Sequence, residues 1–172
     1  MWLLVLPFLW FARPTPRTVL AGSVLALAGL AVRAWAAGQL QKDKALTVSG
    51  PYAHTRNPLY LGSFLIGLGV TLAGGVWGFV ALFLAFFLIV YRRTMERESA
   101  KLELHFGEAF VRYREAVPLF VPRWTPYRPA AELGQTPTRF SLDRYLRNKE
   151  WEAALGAVAG FAFLALRAFG AF

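Results

Sequence analysis

At 172 residues the chain has the length of one ordinary domain, yet 56% of it is hydrophobic, 16% is aromatic and its mean hydropathy is +0.41, which is too apolar for a soluble protein of this size. The absence of cysteine excludes a disulfide framework, a thiolate metal site and a cysteine nucleophile together. A formal charge of +9 raises nucleic acid as a partner, but the basic excess is gathered between Arg92 and Glu150 while the apolar runs are nearly free of charge, the positive-inside pattern of a cytoplasmic segment whose counter-charge is anionic membrane lipid.

Met1 to Ala12 is apolar but only about 18 Å long as a helix. No positive segment precedes it and no small-x-small cleavage site follows, so it reads as a short or tilted helix that is retained. Arg13-Pro14-Thr15-Pro16-Arg17 breaks it. Thr18 to Gly38 is a second apolar run, in which the small residues Ala21, Gly22, Ser23, Ala26, Ala28, Gly29 and Ala31 permit close helix contact. Its single interior charge, Arg33, lies about one turn from the end. Snorkelling to the interface is the plain reading of Arg33, and contact with a bound anion the alternative.

Gln39 to Arg56 is a polar connection, with Lys42, Asp43 and Lys44, that runs through a short extended piece into the Gly50-Pro51 turn. Pro58 holds Asn57 extended and presets a first helical turn, so a helix should begin at about Pro58 with Asn57 at its N-cap. The Asn57 amide and the free N–H groups of that turn would form a donor cluster suited to a carboxylate or phosphate, with Arg56 beside it as a planar cation. Leu59 to Ala73 is thin for a span and closes at Gly74-Gly75; Val76 to Tyr91 follows as a second apolar helix. Such a hairpin returns Arg56 and Arg92 to one side of the membrane, and the basic excess makes that side cytoplasmic. Gly67 and Gly69 lack the remaining parts of a dinucleotide fingerprint and read as helix-packing sites.

From Arg92 the helix leaves the bilayer and turns amphipathic. Tyr91, Met95, Ser99, Leu102, Phe106, Phe110 and Tyr113 recur at spacings of three or four and share a stripe, with Glu98 and His105 on one flank. Glu98 is expected to pair with Lys101, and Gly107 to mark a kink or stop. Val117 to Pro137 is loop-like, its Phe120, Val121, Trp124 and Tyr127 expected in the interface. Arg139 to Glu150 reads as a charged amphipathic helix, and Trp151 to Phe169 is long enough to span. The fold class is therefore all-α: a polytopic membrane protein with about 4–5 transmembrane helices and a cytoplasmic amphipathic helix. Its divisions are N-terminal transmembrane helices (1–38), a core with motif loop, hairpin and amphipathic helix (39–123), a cytoplasmic interfacial segment (124–150) and a C-terminal transmembrane helix (151–172).

The hairpin brings the patch from Leu46 to Tyr60 and the Glu98 flank to one membrane face. A site there would hold a carboxylate (Glu98), helix N-terminal donors (Asn57), a cation (Arg56) and two phenols (Tyr52, Tyr60). That set suits a small molecule with both an ammonium and a carboxylate. Singly, each residue has a plainer role: Glu98 and His105 as solvated helix flank, the tyrosines as interfacial aromatics, Arg93 as an anchor to phosphate headgroups.

The pattern Gly50-Pro51-Tyr52-x3-Arg56-Asn57-Pro58-x-Tyr60-x-Gly62, then Glu98-x3-Leu102-x3-Phe106-Gly107-x5-Tyr113, Val117-Pro118 and Val121-Pro122, resembles the catalytic core of the isoprenylcysteine carboxyl methyltransferase and phospholipid methyltransferase family. The likeness covers residues 40 to 123. It implies an integral enzyme of the cell (inner) membrane that binds S-adenosyl-L-methionine at the cytoplasmic surface. The acceptor would be lipid-linked or hydrophobic, such as a prenylcysteine-type carboxylate or a phospholipid amine. The resemblance puts cofactor contacts on Leu46, Thr47, Tyr52, Arg56, Asn57, Pro58, Leu59, Tyr60 and Glu98, catalytic roles on Arg93 and Glu98 with Arg93 as an acceptor-side cation, and implies no metal and no nucleic acid.

Two positions depart from that family's pattern. Asn57 stands where the family usually has His, and Ser99 where a second acid often follows. Asn57 cannot act as a base at neutral pH, although displacement at a sulfonium demands mainly alignment and a deprotonated nucleophile. Two rival readings are an NADPH-dependent membrane reductase, since sterol reductases look similar around the Arg56 to Tyr60 element, and a non-catalytic relative that kept the core.

Overall fold

Caps and glycines decide where the helices begin and how they meet. The computed structural model describes residues 2–41, 45–128 and 138–170. Helix α1 spans Trp2–Phe11 and α2 spans Pro16–Gln39. The second starts before the expected Thr18 because Thr15 caps it. The Thr18 N–H donates to the Thr15 hydroxyl at 3.2 Å and the Thr15 N–H to the Thr18 hydroxyl at 2.9 Å, a reciprocal box with Pro16 at the first helical position.

Helix α3, Pro58–Ala73, begins where expected, with Asn57 before it, and ends at Gly74. Gly75 has φ +71 and lets the chain reverse. Helix α4, Trp77–Phe106, is 30 residues long, a rod of about 45 Å. The apolar helix expected to Tyr91 and the amphipathic stretch after it are thus continuous. Gly107, at φ +55, stops the rod as expected, and α5, Glu108–Ala116, follows. It buries Phe110 and Tyr113 and exposes Glu108 and Arg112.

The expected helix from Arg139 to Glu150 is shorter than foreseen. Helix α6 covers only Leu142–Arg147, because Lys149 turns into the left-handed region at φ 55 and Glu150 opens α7, Glu150–Ala168. Among the described residues all regular structure is helical. Helices α2, α4 and α7 are long and apolar enough to cross a membrane. Reaching about 4–5 crossings requires α3 and α1 as well, which have 16 and 10 residues. Lys42, Asp43 and Lys44, and the prolines at 129 and 137, lie outside the described residues.

The tightest seam joins α2 to α3. A Cβ on Gly29 would stand 2.6 Å from the Gly62 carbonyl oxygen, and one on Gly69 would stand 2.5 Å from that of Gly22. Both pairs cross in antiparallel order, so the small residues act as the sequence suggested: they let backbone touch backbone where lipid tails offer no hydrophobic driving force. Gly67 makes room for the Phe83 ring of α4. Phe64, Phe87 and Phe120 then pack between α3, α4 and the segment after α5, with centroids 4.9 to 5.6 Å apart.

Helices α6 and α7 and the turn between them complete two other helix ends. The Asn148 amide donates to the Ala37 carbonyl at 2.9 Å and Arg144 Nε to that of Gly38 at 2.8 Å. Arg167 donates to the carbonyls of Leu9 and Trp10 at the end of α1. The last carbonyls of a helix lack internal partners, and these donors supply them.

Candidate active site

The 3₁₀ turn Gly50–Ala53 and the residues up to Asn57 have little regular structure, so their peptide groups need partners elsewhere. The segment 117–127 provides them. Arg56 N–H donates to the Pro118 carbonyl at 3.0 Å, Arg123 N–H to that of His54 at 2.9 Å and Tyr127 N–H to that of Ala53 at 2.9 Å. Thr55, only 1% exposed, donates its hydroxyl to the Phe120 carbonyl at 3.0 Å. Beneath them the Tyr113 hydroxyl donates to the Tyr52 carbonyl at 2.7 Å, and Val48, Phe110, Tyr113 and Val117 form a small core. The loop expected to lie in the interface is therefore a clamp on the motif, with Val121 and Trp124 turned outward.

Asn57 differs from expectation. Its side chain makes no capping bond; Nδ2 donates to the Leu119 carbonyl at 2.9 Å. The amide belongs to the clamp, leaving the peptide N–H groups of the first turn of α3 as that helix start's donors.

Between the motif and α4 opens a cavity of about 690 Å³. Leu46, Thr47, Tyr52, Arg56, Asn57, Pro58, Leu59, Tyr60 and Glu98 all line it, so the nine positions that the resemblance marks for cofactor contact converge. Arg93 does not line it. It lies five residues before Glu98, about 140° round the helix, and is exposed. His105 is exposed at the rim.

Glu98 accepts the Tyr60 hydroxyl at 2.8 Å, in place of the ion pair expected with Lys101. Arg56 Nη1 donates to the Ser99 hydroxyl at 3.3 Å, so the serine at the second-acid position helps to hold the motif's cation. Two buried atoms of residues that line this space lack a partner: the Tyr52 hydroxyl and Arg56 Nε. Burial, then the carboxylates of Glu150 and Glu98, push the Tyr52 hydroxyl well above its ordinary range, which keeps it a proton donor at neutral pH. Burial also draws the Arg56 guanidinium below its usual value. An unpaired buried polar group costs about 1–3 kcal/mol.

Arg33 does not snorkel. Its Nε and Nη2 reach the two carboxylate oxygens of Glu150 at 2.8 and 2.9 Å, and its Nη1 donates to the Leu59 carbonyl at 3.3 Å and to the Ser63 hydroxyl. Glu150, 8% exposed, lines the cavity together with Asn148. Neither is foreseen by the motif reading. The available signal is Arg33 itself, since an interior cation in a membrane helix calls for a counter-charge.

The donor set fits a small amino acid bearing a sulfonium: Glu98 offers negative charge to its cationic groups, and Arg56 and the unpaired Tyr52 hydroxyl offer hydrogen bonds to its anionic end. Leu46, Leu102 and Phe106 supply apolar wall.

Among the described residues the protein is thus an all-helical one with three helices long and apolar enough to cross a membrane and a polar-lined cavity at the start of α3. A family model described as phospholipid methyltransferase matches residues 19–109, over half of the chain. The chain belongs to the phospholipid methyltransferase family. It is 30% identical over 103 residues to the protein-S-isoprenylcysteine O-methyltransferase of Schizosaccharomyces pombe, covering 60% of this chain and 44% of that one. It is likewise 30% identical over 118 residues to the cobalt-zinc-cadmium resistance protein CzcN of Cupriavidus metallidurans, covering 69% of this chain and 53% of that one. The chain thus spans about half the length of the curated relatives it matches. No solved structure matches it.

Proposed function

We propose that the protein is an S-adenosylmethionine-dependent methyltransferase that modifies a lipid-borne or hydrophobic acceptor at the cytoplasmic face of the cell membrane. The observation that carries this reading is the convergence of Tyr52, Arg56, Asn57, Tyr60 and Glu98 on one cavity, with the Tyr52 hydroxyl buried and unpaired. S-Adenosylmethionine bound there supplies an electrophilic methyl group on a sulfonium. Glu98, oriented by Tyr60, offers the carboxylate for its positive charge. Arg56, steadied by Ser99, and the first-turn N–H groups of α3 take its carboxylate. Arg93 is assigned to the acceptor side, as a cation outside the cavity.

The acceptor is a prenylcysteine-type carboxylate or a phospholipid amine, since the substrate must come from the membrane in either case. No base is provided by Asn57, so the acceptor has to arrive with its nucleophilic atom deprotonated. That loss favours one alternative, a relative that binds the cofactor without transferring its methyl group.

Calorimetry of the detergent-solubilised chain tests the proposal. S-Adenosylhomocysteine should give heat and NADPH none; heat with NADPH alone would replace this reading by a reductase. Glu98→Ala should weaken S-adenosylhomocysteine binding by about tenfold or more, ~1.4 kcal/mol, while Glu96→Gln, in an exposed pair with Arg92, binds as the parent does. Equal affinity in the Glu98 variant would displace the site. Sidedness is tested on Trp124→Cys: the chain has no cysteine and Trp124 is 98% exposed, so an impermeant maleimide should label it only in permeabilised cells.

A further inference from the structure

The family match ends at residue 109, yet the first turn of α7 reaches the cavity. Glu150 and Asn148 line it, and Glu150 holds one edge of Arg33 through two hydrogen bonds. The other edge of the same guanidinium donates to the Leu59 carbonyl and the Ser63 hydroxyl, and Ser63 itself donates to Leu59 at 3.0 Å. Leu59 lines the cavity in the first turn of α3, directly after Asn57 and Pro58. A guanidinium is planar and rigid, so a carboxylate that fixes one edge aims the other.

Resting on the cofactor reading above, we infer that Glu150 is a positioning residue of the binding cavity. Acting through Arg33, it fixes the first turn of α3 whose N–H groups face the ligand, and α7 is thereby part of the site. A simple strut between helices would account for the ion pair. It would not account for the hydrogen bonds that continue from Arg33 into the turn.

The test uses the full chain in detergent, with S-adenosylhomocysteine affinity and thermal midpoint read on every variant. Glu150→Gln should weaken binding by about fivefold. Ser63→Ala, which removes an acceptor of Arg33 and leaves the ion pair intact, should weaken it by about threefold with the midpoint unchanged. The exchange Arg33→Glu with Glu150→Arg should recover the midpoint lost in Glu150→Gln but not the affinity, because a carboxylate at position 33 has no proton to give to the Leu59 carbonyl. Glu152→Gln, exposed on the same turn of α7, should match the parent in both. If the exchange restores affinity together with the midpoint, or if Glu150→Gln and Ser63→Ala both bind like the parent, Glu150 is only a strut and the inference is overturned. A parent that does not bind S-adenosylhomocysteine overturns the proposed function and this inference with it, whereas a binding parent with unaffected variants overturns this inference alone.

Discussion

Helix α3 is held along its length and at its start by opposite kinds of contact. Against α2, backbone meets backbone at Gly22–Gly69 and Gly29–Gly62. At its start, the motif it carries is tied to 117–127 by peptide and hydroxyl hydrogen bonds. The glycine seam fixes where the helix axis lies and offers nothing to a ligand. The clamp sets how Tyr52, Arg56 and Asn57 face the cavity. Stability and recognition are thus loaded onto separate contacts of one helix, and they should fail separately.

The largest effect should come from Gly29→Leu. Its Cβ alone would press on the Gly62 carbonyl and on Ile66, so the helices must part; a loss of about 3 kcal/mol or more should abolish the monodisperse peak in size-exclusion chromatography, with binding lost as a result. Thr55→Val should come next, at about 1–3 kcal/mol, because it leaves the Phe120 carbonyl unpaired within the clamp; affinity for S-adenosylhomocysteine should fall more than the thermal midpoint suggests. Tyr60→Phe removes one hydroxyl from Glu98 and should cost about 1 kcal/mol of binding with no change in the midpoint. Arg112→Ala breaks only an exposed pair with Glu108 and should leave both measurements unchanged. If Thr55→Val lowers the midpoint as far as Gly29→Leu does, the division between seam and clamp is wrong.

The parts legible in the sequence were those governed by local backbone chemistry. Pro58 started α3, Gly74-Gly75 turned the chain and Gly107 stopped α4 because each rule concerns a few neighbouring residues. Thr15 is equally local, a capping residue with its partner Thr18 three positions on, but Pro14 and Pro16 on either side of it read as a break in the chain and mask the helix start. Pairings between distant segments were less accessible. Glu98 had a plausible helical neighbour in Lys101, and only the packing of α3 beside α4 shows that Tyr60 reaches it instead. The counter-charge of Arg33 came from a residue 117 positions further along the chain, where no spacing rule applies. The approach of the Leu46 to Tyr60 patch to the Glu98 flank followed from the hairpin and its turn; the role of 117–127 as the segment that holds the motif did not.

The unbroken length of α4 makes it a depth gauge. Glu98 stands 98 − 77 = 21 residues beyond Trp77, about 32 Å along the axis, close to the ~30 Å of a hydrocarbon layer. With the exposed Trp77 ring seated among the headgroups of one leaflet, as such rings prefer, the exposed cations Arg92 and Arg93, about 22 Å along the rod, meet the other headgroup layer first, and the carboxylate stands about 9 Å further out on its polar side. On the proposed function, a lipid acceptor would then float sideways to present its head, its tail still solvated by neighbouring chains. Turnover should accordingly be insensitive to remote tail carbons and sensitive to bilayer thickness.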